Sequence, residues 1–138
     1  MDFSEKRLTI ENIHVAVGIS IFYLTVLRLI YKAFNPTPKL NNSIFPGQKI
    51  IAKLNHVFLY ISILMITISG ALKKLYNGEE LNMFFFNLEI QDNFELAEIF
   101  YEIHILGNYT LIALISLHIL AALLHTFVFK DDVIKRIT

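Results

Sequence analysis

From Ile103 to Phe129 the chain carries no Asp, Glu, Lys or Arg. At ~1.5 Å per residue this run makes ~40 Å of helix, more than the ~30 Å hydrocarbon layer of a bilayer requires. Two further stretches have the same character. Leu54 to Leu72 is free of charge, and Ile13 to Phe34 carries only Arg28 and Lys32, both near its far end. Each reads as a membrane-spanning helix, over about 13–34, 54–74 and 102–129. The expectation is an all-α integral membrane protein, one domain over 1–138. Apolar residues make up 55% of the chain, 12 phenylalanines among them, and they are bunched into these runs. The first span is too long for a cleaved signal peptide, lacks a small-residue cleavage site and ends in charge.

The charges are sorted by side. Residues 35–53, between the first two spans, hold Lys39, Lys49 and Lys53 with no acid, and Lys130, Lys135 and Arg136 follow the third span. Residues 76–101 hold Glu79, Glu80, Glu89, Asp92, Glu95 and Glu98 with no Lys or Arg. The positive-inside rule places the first loop and the C-terminus in the cytoplasm, and the N-terminus and acidic loop outside. Lys73 and Lys74 are the exception on the outer side. Phe84–Phe86 in that loop reads as a surface segment dipping into the interface, and "FELAEIFYEI" as a short surface helix or covering lid. The chain has no cysteine, which removes disulfides, covalent CxxCH haem and thiolate metal sites. A net charge of zero gives no reason to expect nucleic acid.

Titratable groups inside membrane spans ordinarily mark function. His104 and His118 are 14 residues apart. That is ~21 Å of rise and about 40° short of four full turns, so both rings leave one face at different depths. A bis-histidine haem pair stacked across a bilayer needs this placement, each iron taking a second imidazole from a neighbouring helix. A macrocycle against a helix also needs small neighbours: Gly18 follows His14, Gly107 follows His104, and Ala121 and Ala122 follow His118. The first and third spans run the same way, so His14 and His104 sit at similar depth and form the natural axial pair of an outer haem. Arg28 shares the face of His14 at the depth of His118, as a propionate partner or as an arginine snorkelling to headgroups. His56 is followed by bulky Leu59 and Tyr60, and His125 reads as an interfacial histidine. The alternative throughout is core histidines bonded between helices; matched depth, face and small neighbours favour haem.

These residues resemble the bacterial cytochrome b561 family, a branch of the b-type cytochromes that also serve nickel–iron hydrogenases. The likeness rests on "IHVAVGIS" with "LR" and the "NPTP" exit, on "HVFLY" with a later "SG", and on a histidine followed 14 residues later by another, then "AAL" and "KD". It covers nearly the whole chain. It implies a four-helix membrane bundle with two haem b groups, of which this chain shows the second, third and fourth helices. By the resemblance His14, His104 and His118 are three of four iron ligands, whereas His56 and His125 match family histidines without an axial role. The family's first helix, which opens on a His-Trp pair and carries the fourth ligand, has no counterpart here. One haem, or none, is then a second expectation, unless a ligand comes from residues ahead of this start, from a second copy of the chain, or from His56 or His125. Ile68 in place of proline, the "KDDVIKRI" ending and the "FFF" are smaller departures.

The resemblance further implies a protein of the bacterial cytoplasmic membrane that passes electrons between quinone and a partner; one branch oxidises superoxide outside, as a superoxide:quinone oxidoreductase. Lys73 and Lys74 are candidates for steering such an anion. A second reading is a haem-binding anchor subunit that docks a peripheral redox subunit on its acidic loop. A third is a haem-free remnant of three packed helices.

Overall fold

A computed structural model describes residues 2–36 and 47–128. The basic cluster after the third span and most of the first loop, including Lys39, lie outside the described residues. Three helices carry the fold: α1 Phe3–Phe34, α2 Gln48–Tyr76 and α3 Phe94–Phe127. All three are long and apolar enough to cross a membrane. Each starts earlier than the apolar pattern alone suggests; α1 and α3 begin at polar side-chain caps, and α2 begins at Gly47 with no side-chain cap. Asp2 and Glu5 form a reciprocal capping box at the start of α1. The side chain of Asn93 accepts from Leu96 N at 3.1 Å at the start of α3. "FELAEIFYEI" is therefore not a separate surface helix. It is the first turns of α3, continuous with the span that follows, since nothing between Asn93 and Ile103 breaks the helix.

The surface segment before α3 is a small hairpin. β1 (Leu81–Asn82) pairs antiparallel with β2 (Asn87–Leu88), Leu81 opposite Leu88. α2 leaves its last turn through Gly78 at φ +77, and a Cβ there would also meet Asp92 Cβ at 3.3 Å. Phe84, at the tip, stands at φ 68. Leu81 is 1% exposed and packs with Ile19 of α1 and Leu75 of α2. The Tyr23 hydroxyl donates to Met83 O at 3.0 Å, and the rings of Phe84 and Phe85 lie 6.5 and 5.9 Å from that of Tyr23. Tyr23 lies nine residues, or ~14 Å, further along α1 than His14. The hairpin thus runs down the flank of α1 rather than across the top. Of its stem only Leu81 is buried; Asn82, Asn87 and Leu88 stay exposed, so the hairpin is anchored by one side chain and the Tyr23 bond rather than enclosed.

α2 is the centre of the bundle. It packs extensively against α3 and less against α1, while α1 and α3 barely touch each other. The α2–α3 seam is lined by small residues, as close approach in a membrane requires: Ser62 and Ser69 are buried, and so is Gly107. A Cβ on Gly107 would lie 2.8 Å from Ile66 Cγ1. Several serine and threonine hydroxyls in the spans return to their own helix, as Ser20 does to Ala16 O, Ser116 to Ile112 O and Thr126 to Ala122 O. The result is a slot between α1 and α3 with α2 as its back wall.

Candidate functional site

Histidines meet in pairs at both ends of α3. At the end near the hairpin, the rings of His14 (α1) and His104 (α3) have centroids 6.0 Å apart and planes at 82°. At the other end, His56 (α2) and His118 (α3) have centroids 5.3 Å apart at 52°. The two pairs draw their second member from different helices. α1 runs alongside α3 and brings His14 level with His104. α2 runs antiparallel to α3, and its first turns meet the last turns of α3, so His56 arrives beside His118.

α2 also supplies the surroundings of both α3 histidines. His104 Nδ1 lies 2.8 Å from Ile66 O. A carbonyl only accepts, so Nδ1 carries the proton and Nε2 is left bare. One turn on, Gly70 gives the ring its room: a Cβ there would lie 2.9 Å from His104 Cε1 and 3.0 Å from Nδ1. At the other end the Asn55 amide nitrogen is 2.9 Å from His118 Nδ1.

The remaining sequence candidates fall into different places. Gly18 meets nothing within 4 Å of an added Cβ, so the face it shares with His14 is open. Gly107 does not line that open face. It points at Ile66 and Met65 of α2, and its small size serves helix contact. Ala122 is half-buried and Ala121 exposed. Arg28 Nε donates to the Tyr60 hydroxyl at 2.8 Å, and the Lys32 ammonium lies over the same ring, 5.2 Å from its centroid. His125 Nε2 is 3.2 Å from Gln48 Nε2, which joins the end of α3 to the start of α2. Lys74 is held between Glu11 at 3.4 Å and Glu79 at 2.5 Å. Its charge ties α1 and the turn that follows α2 to the end of α2 and is matched there, so Lys74 is not a free cation for steering. Lys73 lines a shallow cleft with Asn77, Phe94, Glu98 and Tyr101.

Sequence reading did not single out Asn55 or the Ile66 carbonyl, took Tyr60 only as a bulky neighbour and Gly70 only as part of the "SG" resemblance, and ranked His56 low. One signal was present. His56 and Gly70 are 14 residues apart, the same interval as His104 and His118. With α2 antiparallel to α3, Gly70 beside His104 brings His56 beside His118.

The pairs suit a haem iron. A metal–imidazole bond of about 2.0 Å on each side puts two axial ring centroids roughly 6 Å apart, close to the 6.0 Å of His14 and His104. His56 and His118 would need to part slightly. Among the described residues no group of three or more His, Asp or Glu gathers. A haem iron asks only two axial ligands of the protein, the macrocycle supplying the rest. The slot between α1 and α3 offers a flat group a place at the His14–His104 pair, whereas the His56–His118 pair spans the α2–α3 seam.

An all-α chain with three membrane-crossing helices and imidazoles paired at two depths is a membrane cytochrome of the b type. Residues 1–138 match the prokaryotic cytochrome b561 family, and the chain belongs to it. It is 27% identical to cytochrome b561 homolog 2 of Escherichia coli (strain K12) over 91% of this chain and 68% of that protein. It is 30% identical to "Probable superoxide oxidase CybB" of Yersinia pestis over 91% of this chain and 73% of that one. Against cytochrome b561 homolog 1 of Escherichia coli the figures are 28%, 96% and 77%. Membership implies b-type haem, electron transfer and a quinone-linked bacterial membrane protein.

Proposed function

We propose that this chain carries electrons across the bacterial cytoplasmic membrane between an outer donor and membrane quinone, with one haem b iron held by His14 and His104 and a second by His56 and His118. The observation that carries this reading is the pair of imidazole couples set four turns of α3 apart. Bound haem b supplies reversible one-electron chemistry at each couple. The chain's own part would be to offer each iron two imidazoles, a closed ligand set that favours electron transfer over oxygen binding, and to hold the couples ~21 Å apart. His14–His104 lies at the end bearing the exposed acidic residues, read as the outer side from the charge asymmetry.

Superoxide is the proposed donor, supported by the likeness to the Yersinia pestis protein and its name. Two superoxide anions each lose one electron and leave as O2. One quinone takes the two electrons with two protons and becomes quinol. With Lys74 paired, Lys73 on α2 and Lys6 and Arg7 at the start of α1 are the cations at that end for the anion. Arg28 keeps its terminal nitrogens for a propionate at the inner end.

Haem b per polypeptide on the purified chain, with reduced-minus-oxidised absorbance, tests the reading. A ratio near two with superoxide-dependent quinone reduction is expected. A ratio of one or less would remove the transmembrane relay. A second reading, an anchor for a peripheral redox subunit, draws on the exposure of Glu79, Glu80, Glu89, Glu95 and Glu98 on one end. Co-purification of a redox subunit, with no superoxide-dependent activity of the isolated chain, would favour it.

A further inference from the structure

The two α3 histidines are held by different chemistry. His104 faces the Ile66 carbonyl, which has only one hydrogen-bonding sense. The proton stays on Nδ1, and Nε2 is bare whether or not a metal is present. His118 faces a primary amide, the side chain of Asn55, at 2.9 Å. An amide presents a donor on one side and an acceptor on the other. With its nitrogen toward the ring, Asn55 donates to Nδ1 and the ring proton sits on Nε2. Turned by half a rotation, its oxygen accepts from Nδ1–H and Nε2 is bare. Only the second arrangement leaves Nε2 free to bind a metal, since a ligating histidine gives its other N–H to an acceptor.

We infer that Asn55 is the positioning residue of the inner couple: its amide selects the tautomer of His118, turning carbonyl-first when the ring binds iron. The inference rests on the ligand assignment proposed above. The outer ligand is preset by backbone, while the inner one is set by a side chain that substitution can change alone. Asn55 precedes His56 on α2, so one turn of helix delivers both the second imidazole and the group that orients the first. A neutral amide oxygen is also a weaker acceptor than a carboxylate, so the basicity of His118 is open to tuning in both directions.

The test is a spectrally resolved redox titration of the haem-loaded protein and its Asn55→Asp and Asn55→Leu variants, with His118→Ala defining the inner component. A carboxylate at 55 makes His118 a stronger electron donor and favours the oxidised iron. Asn55→Asp should lower the inner component by about tenfold in its reduced-to-oxidised ratio, or ~59 mV for one electron. Asn55→Leu, similar in size with no polar atom, should move it the opposite way or release the inner haem alone. The outer component should hold still in both variants. Two components that shift together, or an inner component unmoved by either substitution, would overturn the role of Asn55 and leave the ligand assignment standing. A His118→Ala protein that keeps both components would instead sink the assignment itself.

Discussion

Gly70→Ala is the substitution that the structure resolves most sharply. An added Cβ would stand 2.9 Å from His104 Cε1 and 3.0 Å from Nδ1. Carbon contacts are comfortable from about 3.5 Å, so the ring must retreat by about 0.5 Å. Gly70 and the Ile66 carbonyl approach the ring from the same helix, one turn apart, so the retreat also stretches the 2.8 Å bond to Ile66 O. At about 3.3 Å that bond leaves the useful range. Losing it costs about 1 kcal/mol, and overpacking adds about 1–3 kcal/mol. Replacing glycine in a helix interior returns about 1 kcal/mol. The net, about 1–3 kcal/mol, leaves the protein folded with the outer ligand misplaced. Haem extraction and difference spectra on the detergent-purified variant should show affinity for the outer haem reduced about 10–100-fold, with the inner haem retained. If both components fall together, or the outer one is untouched, Gly70 is not what seats His104.

The pairing predicts matched losses: His14→Ala and His104→Ala should delete one spectral component, and His56→Ala and His118→Ala the other, read by redox titration. Gly107→Ala forces its Cβ to within 2.8 Å of Ile66 Cγ1 and should lower thermal stability by about 1–3 kcal/mol, weakening both haem sites through the shared α2–α3 seam. Gly18→Leu should leave the haem-free helices intact, since nothing lies within 4 Å of that Cβ, while reducing haem uptake at the outer site; equal uptake by the variant would place the macrocycle elsewhere. Tyr23→Phe leaves Met83 O without its donor, a loss of about 1–3 kcal/mol that should appear as faster amide exchange confined to residues 81–88.

Much of this architecture is legible from local chemistry. The charge-free runs, the lysines at their ends and the caps at Asp2 and Asn93 specify three helices, because helix formation in a bilayer depends on residues adjacent in sequence. The meeting of His14 with His104 follows the same logic, needing only that α1 and α3 run in one direction. Chain order alone supplies that.

Register between antiparallel helices is another matter. The matching 14-residue intervals pair His56 with His118 only once Gly70 is known to lie beside His104, because depth on α2 depends on how Gly70 and Gly107 let two backbones slide together. The bulky neighbours Leu59 and Tyr60 argued against His56 from within its own helix, yet its partner lies across the seam. Gly107 could be read as making room for a macrocycle, and only the packing shows that it makes room for Ile66. Lys74 is a basic residue at a helix end by sequence; Glu11, 63 residues away, joins the nearby Glu79 to make it a clasp. Asn55 beside a histidine carries no signal until the fold sets it against the ring of another. Local composition selects the elements because each residue's solvent is decided by its neighbours in the chain. The histidine pairs are decided by side chains far apart in sequence, which meet only once close packing has set how far one helix slides along the next.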